Sequence, residues 1–143
     1  MENFSNNIVK KYNHWTVNIH PNQEYLGRCV IWCDRKNALD LTDVTEDEKH
    51  EFFQIIQELK KTLEKAFNPD WMNYSFLGNS TRHLHCHMVP RYKNEREFAG
   101  IIFKDKRWGY NWLLDKSFVT PNKLLQLIKI EIQKNFENQK QHI

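Results

Sequence analysis

The chain has 143 residues, of which 40% are hydrophobic and 27% are charged. This length and composition are typical of one folded domain with its own core, and they exclude a disordered protein. The net charge of +3 is too small to indicate nucleic-acid binding, and no apolar stretch is long enough to span a membrane.

We expect a single domain over residues 1–143, with residues 1–13 loosely ordered. The first seven residues are polar and lack the apolar core of a signal peptide, which predicts a cytoplasmic protein. The three cysteines, Cys29, Cys33 and Cys86, include no CxxC pair. They are therefore expected to be buried free thiols in a reducing compartment.

The first half of the chain predicts a hairpin followed by a long helix. Strands are expected at 15–19 and 26–33, with a turn at 20–24 between them. Thr45 and Glu48 have the spacing of a capping box. The apolar stripe of this helix recurs at helical spacing and consists of Phe52, Ile56, Leu59, Leu63 and Phe67. Asn68-Pro69 ends it.

The second half predicts two more strands and a last helix. Strands are expected at 71–77 and 82–89, with the second closed by Pro90, and short or irregular pieces at 101–103 and 108–114. Thr120 is expected to cap the final helix, with Pro121 in its first turn. Its stripe is Leu124, Ile128, Ile132 and Phe136. The order of elements predicts an α+β fold with helices on one side of a mostly antiparallel sheet.

The segment 83–88 alternates histidine with apolar residues, reading His-Leu-His-Cys-His-Met. In a strand, the alternation places His83, His85 and His87 on one face and the apolar residues on the other. Three unpartnered imidazoles are costly to bury, so they are expected to line a cleft.

Three interpretations of this histidine run compete. The first is structural, with each ring merely hydrogen-bonded. The second is a metal site, but same-face residues are ~6.6 Å apart in a strand, so three ligands would approach a zinc ion almost in a line. The third is nucleophilic catalysis at phosphorus, because a neutral imidazole with a pKa near ~6.5 is a nucleophile at pH 7. The third accounts best for a row of rings.

The flanking residues favour a phosphate ligand. Asn79, Ser80 and the backbone around Gly78 offer donors just before the strand. Positive charge is supplied nearby by Arg82, Arg91 and Lys93. Three aromatic residues could stack on a base: Trp108, Tyr110 and Trp112. Core packing is the more ordinary role for such side chains.

The stretch from Gly78 to Arg91 resembles the histidine-triad (HIT) family, whose motif is His-φ-His-φ-His-φ-φ with φ apolar. Within that family it looks similar to the fragile-histidine-triad and diadenosine polyphosphate hydrolase branch. A third histidine, where the nucleotidylyltransferase branch usually has glutamine, favours the hydrolases. The resemblance implies the HIT fold and a homodimer that joins two sheets into one.

The resemblance also implies roles for individual residues. His85 would be the nucleophile that forms a covalent nucleotidyl-histidine, His83 would orient its surroundings, and His87 would assist at the phosphate and leaving group. Residues implied to bind substrate are Ser80 at the phosphate, Asn79 in place of the usual Gln, His20 at the ribose hydroxyls, and Asn73 more loosely.

These observations predict a hydrolase that cleaves a nucleoside phosphate conjugate. No protein-bound metal or cofactor is required, and a divalent cation is compatible with a polyphosphate substrate. Two alternatives stay open at this point: a nucleotide-binding regulatory protein with weak or vestigial catalysis, and a metal-dependent hydrolase. The preferred nucleoside and leaving group do not follow from the sequence.

Overall fold

The computed structural model describes residues 4–140, with side chains from 6 to 136. Its centre is a five-stranded antiparallel sheet of spatial order β1-β2-β3-β5-β4. The strands are β1 (Ile8–Lys11), β2 (Trp15–Ile19), β3 (Cys29–Cys33), β4 (Trp71–Ser75) and β5 (His85–Arg91). A separate ribbon pairs β6 (Arg96–Phe98) with β7 (Ile101–Phe103). Single-turn 3₁₀ helices lie at Phe4–Asn7 and Leu41–Asp43.

Two helices cover one face of the sheet. Helix α1 (Glu46–Phe67) begins with the predicted capping box between Thr45 and Glu48, and it ends at Asn68, which adopts the left-handed conformation of a helix terminus. Helix α2 (Asn122–Lys140) packs against α1. Apolar side chains from both helices and from the sheet form one core, which confirms the α+β prediction. None of the described helices is long and apolar enough to cross a membrane.

Several local predictions differ from the structure. Strand β5 begins at His85 and not at residue 82, so His83 precedes the strand and is not part of its histidine face. Residues 8–11, assigned to a loosely ordered N-terminus, form strand β1 and pair with β2, whereas residues 1–3 lie outside the described part. Pro90 does not close β5, which continues to Arg91. Pairing with β3 ends at Met88, so the missing N–H of Pro90 falls where the strand has a neighbour on one side only.

The last helix also begins differently from the prediction. The hydroxyl oxygen of Thr120 accepts a hydrogen bond from the backbone N–H of Gln23, and α2 starts at Asn122. This bond ties the approach to α2 to the turn between β2 and β3. The same turn carries two residues of the candidate site.

Gly27 sets the path of the chain into β3. Its φ of +88° lies in the left-handed region, and a Cβ there would come within 3.0 Å of the Phe67 ring. The absence of a side chain therefore lets the end of α1 pack directly on the turn. Arg28 follows directly, and β3 begins at the next residue.

Candidate active site

The first two histidines of the run are fixed by backbone carbonyl groups. His83 lies before β5, where its Nε2–H donates to the carbonyl oxygen of Cys33 at 2.6 Å and its ring stacks on Trp32 at 4.1 Å. The carbonyl oxygen of His83 in turn accepts from Nδ1 of His85 at 2.6 Å. His83 therefore supports His85 through its backbone and does not itself line the cleft.

These partners determine which ring nitrogen of His85 carries the proton. A carbonyl oxygen has no hydrogen to donate, so Nδ1 must be the protonated nitrogen. Nε2 of the neutral ring then holds a lone pair. His85 is 7% exposed and lines a cleft, so this lone pair belongs to a ring held with little rotational freedom. That is the state a nucleophilic imidazole needs.

His87 is held in the opposite tautomer. Its Nδ1 lies 3.3 Å from Nη2 of Arg28, and a guanidinium can only donate, so Nδ1 accepts and Nε2 of the neutral ring carries the hydrogen. The rings of His85 and His87 are 5.0 Å apart. One ring thus offers a lone pair and its neighbour an N–H donor.

Burial keeps two imidazoles of the site neutral. It lowers the pKa of His87 to about 4, assisted by the positive charge of Arg28 and by His85. It lowers the pKa of His20 to about 3, again with Arg28 and His87 contributing. Nδ1 of His20 accepts from the backbone N–H of Asn22, so its Nε2–H is the available donor.

A cleft of about 260 Å³ gathers these groups. Of the seven predicted site residues, it brings together His20, Asn79, Ser80, His85 and His87. Gly78, with φ of +62°, turns the loop that carries Asn79 and Ser80. The cleft is completed by residues outside that set, namely Arg28, Leu77, Gly78, Thr81, Trp112 and Leu114.

Arg28 and Trp112 form the end of the cleft beyond His87. The guanidinium carbon of Arg28 lies 4.8 Å from the Trp112 ring centre, and that ring is 5.5 Å from the His87 ring. Sequence reasoning missed Arg28. The sequence did contain a signal, because Arg28 is the one cation in the apolar run from Leu26 to Cys33. A charge buried in such a run needs a partner, which marks the residue as a candidate for a site.

Gln23, also missed, braces the turn that carries His20 and Arg28. Its fully buried amide donates to the carbonyl oxygens of both residues, at 2.8 and 2.9 Å, and accepts from the backbone N–H of Gly27. One side chain therefore fixes the spacing of two site residues.

The comparisons with known proteins bear on the family. Residues 8–94, more than half of the chain, match the model of the HIT domain. The chain belongs to the HIT family. Within it, the chain is 31% identical over 109 residues to a bis(5'-adenosyl)-triphosphatase of Saccharomyces cerevisiae (strain S288c), covering 73% of this chain and 52% of that protein.

More distant proteins resemble the chain in sequence or in fold. A bis(5'-adenosyl)-triphosphatase of Dictyostelium discoideum is 24% identical over 94 residues, covering 62% of this chain and 61% of that protein. The chain thus spans about half to three-fifths of the length of these curated relatives. A hypothetical histidine triad nucleotide-binding protein from Sulfolobus tokodaii superposes with a TM-score of 0.76 at 16% identity, covering 96% and 87% of the two chains.

Asn73 lies apart from the HIT histidines, contrary to expectation. Its amide oxygen accepts from Nη1 of Arg91 at 2.8 Å, and both residues line a second cleft of about 550 Å³. Trp108 and Tyr110 also line this second cleft, so of the three aromatic candidates only Trp112 reaches the histidines.

The cationic side chains near the HIT motif also lie elsewhere than the sequence predicted. Arg91 is paired with Asp105 at 2.7 Å and does not reach the histidine cleft, whereas Arg82 and Lys93 are exposed and lie outside its lining. Arg28 is the charged residue that takes their place. No group of three histidine, cysteine or acidic side chains within residues 6–136 is arranged to hold a metal ion.

Proposed function

We propose that this HIT-family chain hydrolyses a nucleotide phosphate conjugate through a covalent nucleotidyl-histidine on His85. The observation that carries the proposal is the hydrogen bond from Nδ1 of His85 to the carbonyl oxygen of His83, because it leaves the Nε2 lone pair as the nucleophile at the cleft. An imidazole held in this way needs no further base.

In the proposed reaction, Nε2 of His85 attacks the α-phosphorus while the bond to the leaving group breaks and its electron pair departs with that group. The intermediate carries the positive charge of a phosphorylated imidazolium, whose Nδ1–H remains bonded to His83. Water then attacks the same phosphorus, the P–N bond breaks, and its electrons return to Nε2. The products are a nucleoside monophosphate, the leaving group and one proton released from water.

The other cleft residues stabilise the charge that develops. Nε2–H of the neutral His87 donates to an oxygen of the reacting phosphate or leaving group, and donors from Asn79 and Ser80 hold the nonbridging oxygens. His20 contributes its Nε2–H to the ribose hydroxyls. Two relatives named as bis(5'-adenosyl)-triphosphatases support a dinucleoside polyphosphate or a nucleotidyl conjugate as substrate.

We further propose a homodimer joined through the sheets, acting in the cytoplasm without a protein-held metal. The three cysteines are free and buried, which suits a reducing compartment. A divalent cation is expected to enter only with the polyphosphate chain, as part of the substrate. Activity that survives chelation, with no stoichiometric metal in the purified protein, is expected; metal and activity lost together would support the metal-dependent alternative.

The test is to trap the intermediate. Wild type is incubated with a dinucleoside triphosphate carrying a labelled α-phosphate, quenched rapidly in alkali, and mapped for label. Label on His85 is expected, and none in His85→Asn. Tight nucleotide binding without label or turnover would instead support a regulatory nucleotide-binding protein.

A further inference from the structure

Arg28 is a buried cation with unused hydrogen-bonding capacity. Its side chain is 2% exposed, and its Nε and Nη1 groups have no hydrogen-bond partner in the structure. Nη2 alone is engaged, by Nδ1 of His87. Buried donors are almost always paired in folded proteins, so two unpaired N–H groups on a charged side chain that lines the cleft need a partner that the described residues do not supply.

The charge of Arg28 is only partly balanced, because Glu24 acts on it without forming an ion pair. No carboxylate within residues 6–136 forms an ion pair with it, and the lining of the histidine cleft contains no other charged residue. Burial lowers the pKa of Arg28 to about 10, which still leaves it charged at neutral pH. The Trp112 ring, at 4.8 Å, compensates only part of the cost of burying a cation.

The charge of Arg28 lies on the far side of His87 from His85. Moving along the row of rings, His85 comes first, His87 follows at 5.0 Å, and Arg28 lies beyond it at 3.3 Å from His87. A ligand with one phosphate at His85 and its leaving group directed toward His87 would place the group that adjoins this phosphate near Arg28. At these distances a positive charge in a poorly solvated cleft acts strongly on a neighbouring anion.

We propose that Arg28 is a specificity-determining residue that selects ligands with a second anionic group, such as a further phosphate, adjoining the phosphate at His85. The inference rests on the proposed function for the identity of the first phosphate. It adds that phosphoanhydrides, whose adjoining group is charged, are preferred over phosphoramidates, whose adjoining amine is not.

The test compares the binding of adenosine diphosphate and adenosine monophosphate by calorimetry, which requires no turnover. Wild type is expected to bind the diphosphate at least about 10-fold more tightly, because a hydrogen bond to a charged group contributes about that much or more. Arg28→Gln should bring the ratio near unity while weakening the monophosphate by less than about 3-fold. Arg28→Lys, which keeps the charge, should restore part of the ratio.

Arg82→Gln is the matched control, since it removes a nearby arginine that does not line the cleft, and it should leave the ratio unchanged. Equal losses for both ligands in Arg28→Gln would show a merely structural role and overturn the proposal. If that variant fails to fold, the wild-type ratio decides: equal affinities overturn the role of Arg28. A wild type that binds neither nucleotide contradicts the proposed function itself.

Discussion

Arg28 and Arg91 are 2% and 3% exposed, yet their guanidinium groups have opposite surroundings. Arg91 makes a bidentate pair with Asp105 and donates further to Asn73 and to two backbone carbonyls. Arg28 has one neutral histidine, an aromatic ring and two free donors. Burial of a cation therefore does not distinguish structure from function, whereas the completeness of its partners does.

The largest expected effect is on the rate of hydrolysis, and it belongs to the histidine cleft. His85→Asn removes the proposed nucleophile from the histidine cleft and should lower kcat by about 10⁴-fold or more, as loss of a covalent nucleophile does elsewhere. Nucleotide binding and the melting temperature should change little. Steady-state rates measure the first effect, and His50→Asn, at an exposed position on α1, is the control. A normal rate in His85→Asn would rule out its assigned role.

In the second cleft, which Arg91 lines, a substitution should change the stability of the fold. Arg91→Met leaves the fully buried carboxylate of Asp105 without its partner, and it should lower the free energy of unfolding by about 3–5 kcal/mol. Chemical denaturation measures the change. Asp70→Asn removes a more exposed partner of Arg96 and should cost about 1 kcal/mol or less. Equal effects would mean that burial does not govern the strength of these pairs.

The pH dependence of stability tests whether the two buried histidines are neutral in the folded state. His20 and His87 have a pKa of about 3 and about 4 in the folded state, below the ordinary value of 6.5. Below pH 6.5 the unfolded chain therefore binds more protons, so their contribution to stability is complete above pH 6.5 and decreases as the pH falls toward 4. His20→Asn should flatten this decline in the unfolding free energy; an unchanged slope would contradict the burial argument.

The smallest expected change in stability is at Arg28. Arg28→Met replaces a buried cation that has no ion-pair partner with an apolar side chain of similar length, so the unfolding free energy should stay within about 1 kcal/mol of wild type or rise. Denaturation alongside Arg91→Met measures the contrast directly. A loss as large as that of Arg91→Met would show that Arg28 has a structural role after all.

The sequence predicted the parts of the fold that depend on local pattern. The capping box at Thr45 and the end at Asn68 follow from terminal chemistry, and both are present in the structure. The apolar stripe of α1 is also present, except that Ile55 is fully buried where the spacing predicted Ile56. Strand β1 and the passage of β5 through Pro90 depend on which strands are neighbours. Local composition does not contain that information.

The candidate site was predictable to a similar extent. Alternation and the HIT resemblance pointed to His85 and His87, and the loop at Asn79 follows from turn chemistry. The separation of Asn73 from the cleft, and the arrival of Arg28 and Trp112 in it, depend on long-range contacts such as the bond between Arg91 and Asn73. Sequence adjacency to the histidines therefore located the loop at Asn79 and Ser80, but not the residues that enter the cleft from other parts of the chain.

The stereochemical course at phosphorus tests the covalent intermediate most directly. A nucleotide substrate made chiral at its α-phosphorus with sulfur and oxygen isotopes is hydrolysed by wild type, and the configuration of the product is determined. Attack by His85 followed by attack by water comprises two in-line displacements, each of which inverts, so overall retention is predicted. Inversion would mean that water attacks the substrate directly, and it would contradict the nucleotidyl-histidine mechanism.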